Sequence, residues 1–229
     1  MISAFLAIVI PNLAQYVLIY IVIVFSAIVH EYAHAWTAEQ LGDTTAKEAG
    51  RLTLNPFRHI DFFGTVLMPL LSLLAFRVFI GWAKPVPIDP RALRGRLGEL
   101  KVAAAGPGAN VLVAVILGMA VRFLSPAALR GFGRFGLPAG AGDIILFVLG
   151  LTVYINIFIA LFNLIPIAPL DGSHILPRAL PPSAEGLLNR SVLGLLLAVL
   201  VASIVIPPLA GFFFSAITGQ GSLFGGGGA

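Results

Sequence analysis

Residues 21–37, IVIVFSAIVHEYAHAWT, put three ionisable side chains into an apolar run long enough to enter a bilayer. His30, Glu31 and His34 fall within little more than one helical turn. On insertion scales a single charge at the centre of a membrane helix costs roughly 2.5–3.5 kcal/mol. Three such groups side by side need a compensating partner, and the spacing H-E-x-x-H specifies one. Positions i and i+4 share a helix face, about 6 Å apart along the axis. Two imidazoles so placed can hold one metal ion, with Glu31 beside them to carry protons.

Composition agrees with a membrane setting. Of 229 residues, 59% are hydrophobic and 10% charged, where a soluble domain carries about 25% charged residues. Mean hydropathy is +1.00. The formal charge of +4 reads as loop residues that set orientation in the bilayer, so no nucleic-acid partner is expected. The chain has no cysteine, which excludes disulfides and thiolate metal sites. The first residues, MISAFLAIVIPNLAQ, lack the basic start of a secretory signal, and a cleaved one is not expected.

Along the chain, residues 2–10 are apolar but too short to span, and Pro11 closes them. A first spanning helix is expected over 12–41, with His30–His34 in its later half. Residues 42–61 are polar, and the alternation over 51–55 suggests a short strand ended by Pro56. Residues 62–81 are apolar again, yet Pro69 interrupts them and Arg77 leaves only 62–76 uncharged. Those fifteen residues fall short of the roughly 20 that a crossing takes. The Pro-rich GWAKPVPIDP and a basic loop over 91–101 follow. Further spanning helices are expected over 100–124, 143–165 and 187–206, the last stopped by Pro207-Pro208 before a short apolar piece at 209–217. The fold class is thus an all-α polytopic membrane protein of about four to six helices, with a re-entrant hairpin and short β-strands near the site. One integral membrane domain over 1–218 and a flexible Gly-rich tail over 219–229 are expected.

The third ligand bears on topology. Asp171 lies on backbone broken by Pro166 and Pro169, which membrane depth tolerates only where it is buried in protein or lines a cavity. If Asp171 joins His30 and His34, the ends of the first and third spanning helices share a side. That holds if 62–81 re-enters and fails if it crosses. The re-entrant arrangement puts Lys47, Arg51, Arg58, Arg77, Lys84, Arg91, Arg94, Arg96, Lys101, Arg178 and Arg190 on one side. Only Arg122, Arg130 and Arg134 are on the other. Positive residues collect on the cytoplasmic side, so the site is expected there, in a multi-pass protein of the cell membrane.

Each candidate has a plainer role to weigh. Asp171 could merely cap a helix before Gly172-Ser173-His174, and His174 is the alternative ligand. His59, between Arg58 and Asp61, reads as a polar loop residue. Asn163 could donate to a developing oxyanion or cap frayed carbonyls. Asn110 reads as a bond between helices, and the small residues of Gly106-Pro107-Gly108-Ala109-Asn110 as close helix contact.

Taken together, HEYAHAW, AGRLTLNP, GWAKPVP, AGPGAN and FNLIPIAPLDG resemble the site-2 protease family of intramembrane zinc metalloproteases, over about residues 25–180. The resemblance is to a short form without the PDZ or CBS domain of many relatives. It implies one Zn2+ per chain on His30, His34 and Asp171, with Glu31 as catalytic carboxylate and Asn163 as a substrate- or oxyanion-binding residue. It also implies hydrolysis of transmembrane protein substrates within the bilayer. Ser173-His174 stands where the family often has Gly-Arg. An exposed backbone edge at 50–55 or 82–88 could hold an unwound substrate by strand addition. Two other classes use similar ligands: a divalent metal transporter, and a non-catalytic membrane binding protein. Transit sites recur along a path, whereas this chain gathers its intramembrane ionisable groups in one place, and the intact Glu31 argues against a binding-only role.

Overall fold

The computed structural model describes residues 13–76, 81–124, 141–176 and 192–220. In chain order the helices are α1 (Leu13–Gln40), α2 (Thr45–Glu48), a 3-10 turn at Pro56–Arg58 and a π-helical stretch at Phe62–Leu67 that runs into α3 (Met68–Phe76). Then come α4 (Gly98–Phe123), α5 (Ala141–Asn163), α6 (Gly172–Ile175) and α7 (Val192–Thr218). Four stretches are long and apolar enough to cross a membrane: Gln15–Gln40, Gly98–Phe123, Gly142–Asn163 and Leu196–Thr218. The expected segment at 2–10, most of the Gly-rich tail, and Arg77, Arg130, Arg134, Arg178 and Arg190 lie outside the described residues.

These helices are apolar on the packed face and on the outer one, as lipid-facing helices are. Val153 and Ile157 of α5 pack with Ala114 of α4 and with Ala202, Ile206, Ala210 and Phe214 of α7. Leu151 and Ile155, on another face of α5, pack with Val22 of α1. Leu112 and Ile116 of α4 and Leu200 and Ile204 of α7 remain exposed. Small residues bring the backbones close: a Cβ on Gly118 would sit 2.4 Å from Ile217 Cγ2.

The fourth spanning helix corrects the sequence reading. It does not stop at 206 but carries Pro207 and Pro208 inside it. A proline in a helix interior costs about 3 kcal/mol, yet Ile206, Ala210 and Phe214 form one buried stripe across that point. Packing outweighs the lost backbone bonds, as membrane helices allow.

The connection between α1 and α4 begins and ends at one level, since the Arg94 N–H donates to Leu41 O at 2.7 Å. Within it, Phe62–Ala75 is apolar but short. Its neighbourhood is also re-met on the way back: Trp82 N–H donates to Gly64 O at 3.0 Å. The Thr65 hydroxyl donates to Trp82 O at 3.0 Å. A Cβ on Gly81 would lie 2.5 Å from Gly64 O.

Among the described residues there is no β-strand, which corrects the short strand expected at 51–55. There Thr53 N–H turns back on Arg51 O at 2.9 Å instead of pairing with a neighbouring strand. Residues 81–89 are non-helical, and several of their donors turn to the rest of the chain. Lys84 N–H goes to His59 O at 3.0 Å, Val86 N–H to Glu31 Oε2 at 2.9 Å and Asp89 N–H to Asp43 Oδ2 at 2.8 Å. Pro85 and Pro87 have no N–H to offer.

Asp43 anchors this loop. It is buried, and its carboxylate also accepts the Thr45 N–H at 2.9 Å and hydroxyl at 2.5 Å. Burial pushes the carboxyl up, but the Thr45 and Asp89 donors prevail and hold it below its ordinary value. Hydrogen bonds to a charged group are worth about 1.5–3 kcal/mol, so Asp43→Ala is expected to destabilise by about that much at neutral pH. Thermal unfolding in detergent micelles checks it. The difference from wild type is full above the ordinary carboxyl value of 3.8 and is lost as pH falls through the lower folded value.

Candidate metal centre

His30 and His34 share the face of α1 turned towards α4, and both are buried. Asp171 reaches them from the turn after α5. That turn is tight, because a Cβ on Gly172 would lie 2.4 Å from both Leu164 O and Ile165 O. Asp171 precedes α6, yet its side chain makes no capping bond. Its Oδ2 lies 3.1 Å from His30 Nε2 and 3.3 Å from His34 Nε2, and the two Nε2 atoms are 3.0 Å apart. Among the described residues these three form the one group of metal-ligating side chains close enough to share an ion.

The arrangement fits a tetrahedral zinc. Zn–N distances of about 2.0–2.1 Å at tetrahedral angles put neighbouring ligand atoms roughly 3.3 Å apart, close to the spacings found. The outer faces of the imidazoles are tied as well. His34 Nδ1 donates to Val102 O at 2.7 Å; a carbonyl can only accept, so Nδ1 carries the proton and Nε2 presents its lone pair inward. His30 Nδ1 lies 2.7 Å from Asn110 Oδ1. Outer-shell bonds of this kind fix the tautomer and orientation of metal-ligating histidines. A carboxylate and two lone pairs converging in a buried site repel one another unless a proton or a cation lies between them. A divalent ion satisfies all three together.

Gly106 makes room for this cluster. A Cβ there would sit 2.4 Å from His34 Nε2 and 2.6 Å from His30 Cε1. The sequence marked Gly106 only as a close helix contact; what it approaches is the ligand pair itself. Glu31 opens, with the three ligands, onto a cleft of about 310 Å³ that Asn163, His174 and the Pro85–Val86 corner also line. Glu31 Oε2 is held by the Val86 N–H at 2.9 Å, a contact that sequence spacing does not signal. Asn163 Nδ2 donates to Ile159 O at 3.0 Å, the carbonyl-capping alternative, while its side chain faces the cleft. His174 borders the cleft but is not in the ligand group. His59 lies in the loop after the 3-10 turn, as its setting suggests, but it is 1% exposed, and its Nε2 donates to Thr53 O at 2.8 Å.

Membrane-spanning helices that bring a histidine pair, an aspartate and a flanking glutamate to one buried cleft define an intramembrane metal centre of the hydrolytic kind. The chain belongs to peptidase family M50, which it matches over residues 18–207; this is the site-2 protease family that its motifs resemble. It is 34% identical over 79% of its length to YwhC of Bacillus subtilis strain 168, covering 76% of that protein, which is provisionally named a zinc metalloprotease. Two proteins called Rip2, with the same provisional description, are also similar. The one from Mycolicibacterium smegmatis is 28% identical over 89% of this chain and 74% of its own. The one from Mycobacterium tuberculosis H37Rv is 29% identical over 84% of this chain and 68% of its own. No solved structure is a significant match.

Gly106→Ala is expected to cost at least about tenfold in zinc affinity, in the range of lost ligand support. Gly108→Ala, whose Cβ would meet nothing within 4 Å, should keep wild-type affinity. Metal titration of the two purified variants makes the comparison.

Proposed function

We propose that this protein is an intramembrane zinc metalloprotease that cleaves transmembrane protein substrates, with His30, His34 and Asp171 as zinc ligands and Glu31 as general base. The observation that carries the reading is the convergence of those three ligand atoms beside Glu31 at one cleft. Family membership and the zinc metalloprotease relatives support it. When bound, zinc supplies a Lewis acid and lowers the pKa of a coordinated water towards about 7. Glu31, steadied by the Val86 N–H, takes the proton from the attacking water and returns it to the leaving nitrogen. Asn163 faces the same cleft and, by releasing Ile159 O, could turn its amide to the scissile carbonyl's oxygen. A transmembrane helix hides its carbonyls in hydrogen bonds, so a substrate unwinds before it enters the cleft. A transport role finds no second metal station among the described residues.

The topology belongs to the same reading: one membrane domain over residues 1–218, with 62–81 re-entrant and the site on the cytoplasmic side of the cell membrane. The Arg94–Leu41 and Trp82–Gly64 bonds support it, because each returns the chain to the level it left. The charge asymmetry of the loops supports the orientation.

Glu31→Gln is expected to retain zinc while lowering cleavage of a membrane peptide by roughly 10²–10⁴-fold; cleavage by the zinc-loaded variant equal to wild type would remove Glu31 from its role. Orientation is checked in the naturally cysteine-free chain by single substitutions. Arg96→Cys should react with an impermeant thiol reagent only from the cytoplasmic side, and Arg130→Cys only from the opposite side.

A further inference from the structure

One turn deeper along α1 than the metal ligands, Ser26, Asn110 and Asn156 form a polar cluster that is 4%, 0% and 1% exposed respectively. They come from α1, α4 and α5, and polar groups at such depth are costly unless every one is paired. Their bonds can be satisfied in one direction only. Asn156 donates to Thr152 O at 2.8 Å and to Ser26 Oγ at 2.9 Å. Because a backbone carbonyl only accepts, the Asn156 atom facing Thr152 O is the amide nitrogen, and its Oδ1 is the atom turned to Asn110. The Asn110 atom 2.7 Å from that oxygen is therefore nitrogen, and the same nitrogen donates to Ser26 O at 3.2 Å. Asn110 Oδ1 is left as the atom 2.7 Å from His30 Nδ1. Since that oxygen can only accept, His30 carries its proton on Nδ1 and turns the Nε2 lone pair to Asp171 and His34.

We propose that Asn156 and Asn110 are positioning residues, a directed amide relay from α5 through α4 that fixes the tautomer and ring orientation of His30 for metal. The proposal rests on the reading of His30 as a zinc ligand. His34 takes its proton direction from a backbone carbonyl, which no side-chain substitution removes; His30 depends on two amides. Asn156 hydrogen-bonds to none of the three ligands; its side-chain routes to them are Asn110 and, through Ser26 Oγ, α1 itself.

The test uses the full chain in detergent micelles, with Co2+ as the probe at fixed pH. The readouts are its dissociation constant, the visible absorption of the Co2+ form and the melting midpoint of the metal-free protein. Asn110→Leu is expected to weaken Co2+ binding by about 10–100-fold and to alter the absorption bands. Asn156→Leu should weaken binding by about tenfold, the lower end of that range. Asn110→Asp is expected to restore near-wild-type affinity. Its carboxyl keeps an oxygen that accepts from His30 Nδ1. Where a leucine variant does not fold, Asn156→Ser serves instead, too short to reach Asn110 and expected to shift affinity in the same direction. Variants that lower the melting midpoint yet bind Co2+ with wild-type affinity and spectrum overturn the relay and leave the metal site standing. Failure of the wild-type chain to take up Co2+ overturns the metal reading itself.

Discussion

Two imidazole nitrogens and a carboxylate oxygen meet within 3.0–3.3 Å of one another among apolar helices, and the rest of the structure arranges itself around the cost of putting them there. In lipid an isolated charged side chain is expensive, and three ligand atoms aimed at one point add mutual repulsion. A divalent cation turns both penalties into a bound site. Every neighbouring feature serves that convergence. α4 lies close because Gly106 has no side chain, and the turn after α5 is tight because Gly172 has none. The outer nitrogens of both histidines are occupied, so the inner ones point the right way.

The same demand organises the chain between α1 and α4. The non-helical stretch after residue 81 turns four of its backbone donors to Gly64, His59, Glu31 and Asp43. One of those donors, on Val86, reaches the Glu31 carboxylate. The flanking prolines have no N–H to compete for that contact, and they stiffen the backbone that makes it. The Pro-rich stretch is therefore a wall of the cleft, pinned to α1 through Glu31. Asp43 matters for the same reason: it ties the far end of that wall to the turn after α1.

Much of the site could be read from residue order. H-E-x-x-H fixes His30, Glu31 and His34 by helical period alone, and the prolines before Asp171 mark backbone that membrane depth accepts only at a cavity. Reading fared worse wherever tertiary packing overrides a local rule. Pro207-Pro208 looks like a stop, but the buried stripe of Ile206, Ala210 and Phe214 carries α7 through it. Alternation at 51–55 looks like a strand, but a strand needs a partner edge, and the loop turns on itself instead. His59 is the polar loop residue it looks like, but its burial against Thr53 leaves no local trace in the sequence.

The sequence by itself determined that the chain lives in a membrane, which residues can bind metal and which carboxylate stands beside them, because hydropathy and helical spacing are local properties. Tertiary structure alone decided that Asp171 and not His174 completes the cluster, that Gly106 is the space the histidines occupy, and that Asn110 is bound to His30 as well as to a neighbouring helix. Those outcomes depend on distances between α1, α4 and α5. Residues so far apart in the chain have no shared period to reveal them, only the packing that brings them into contact.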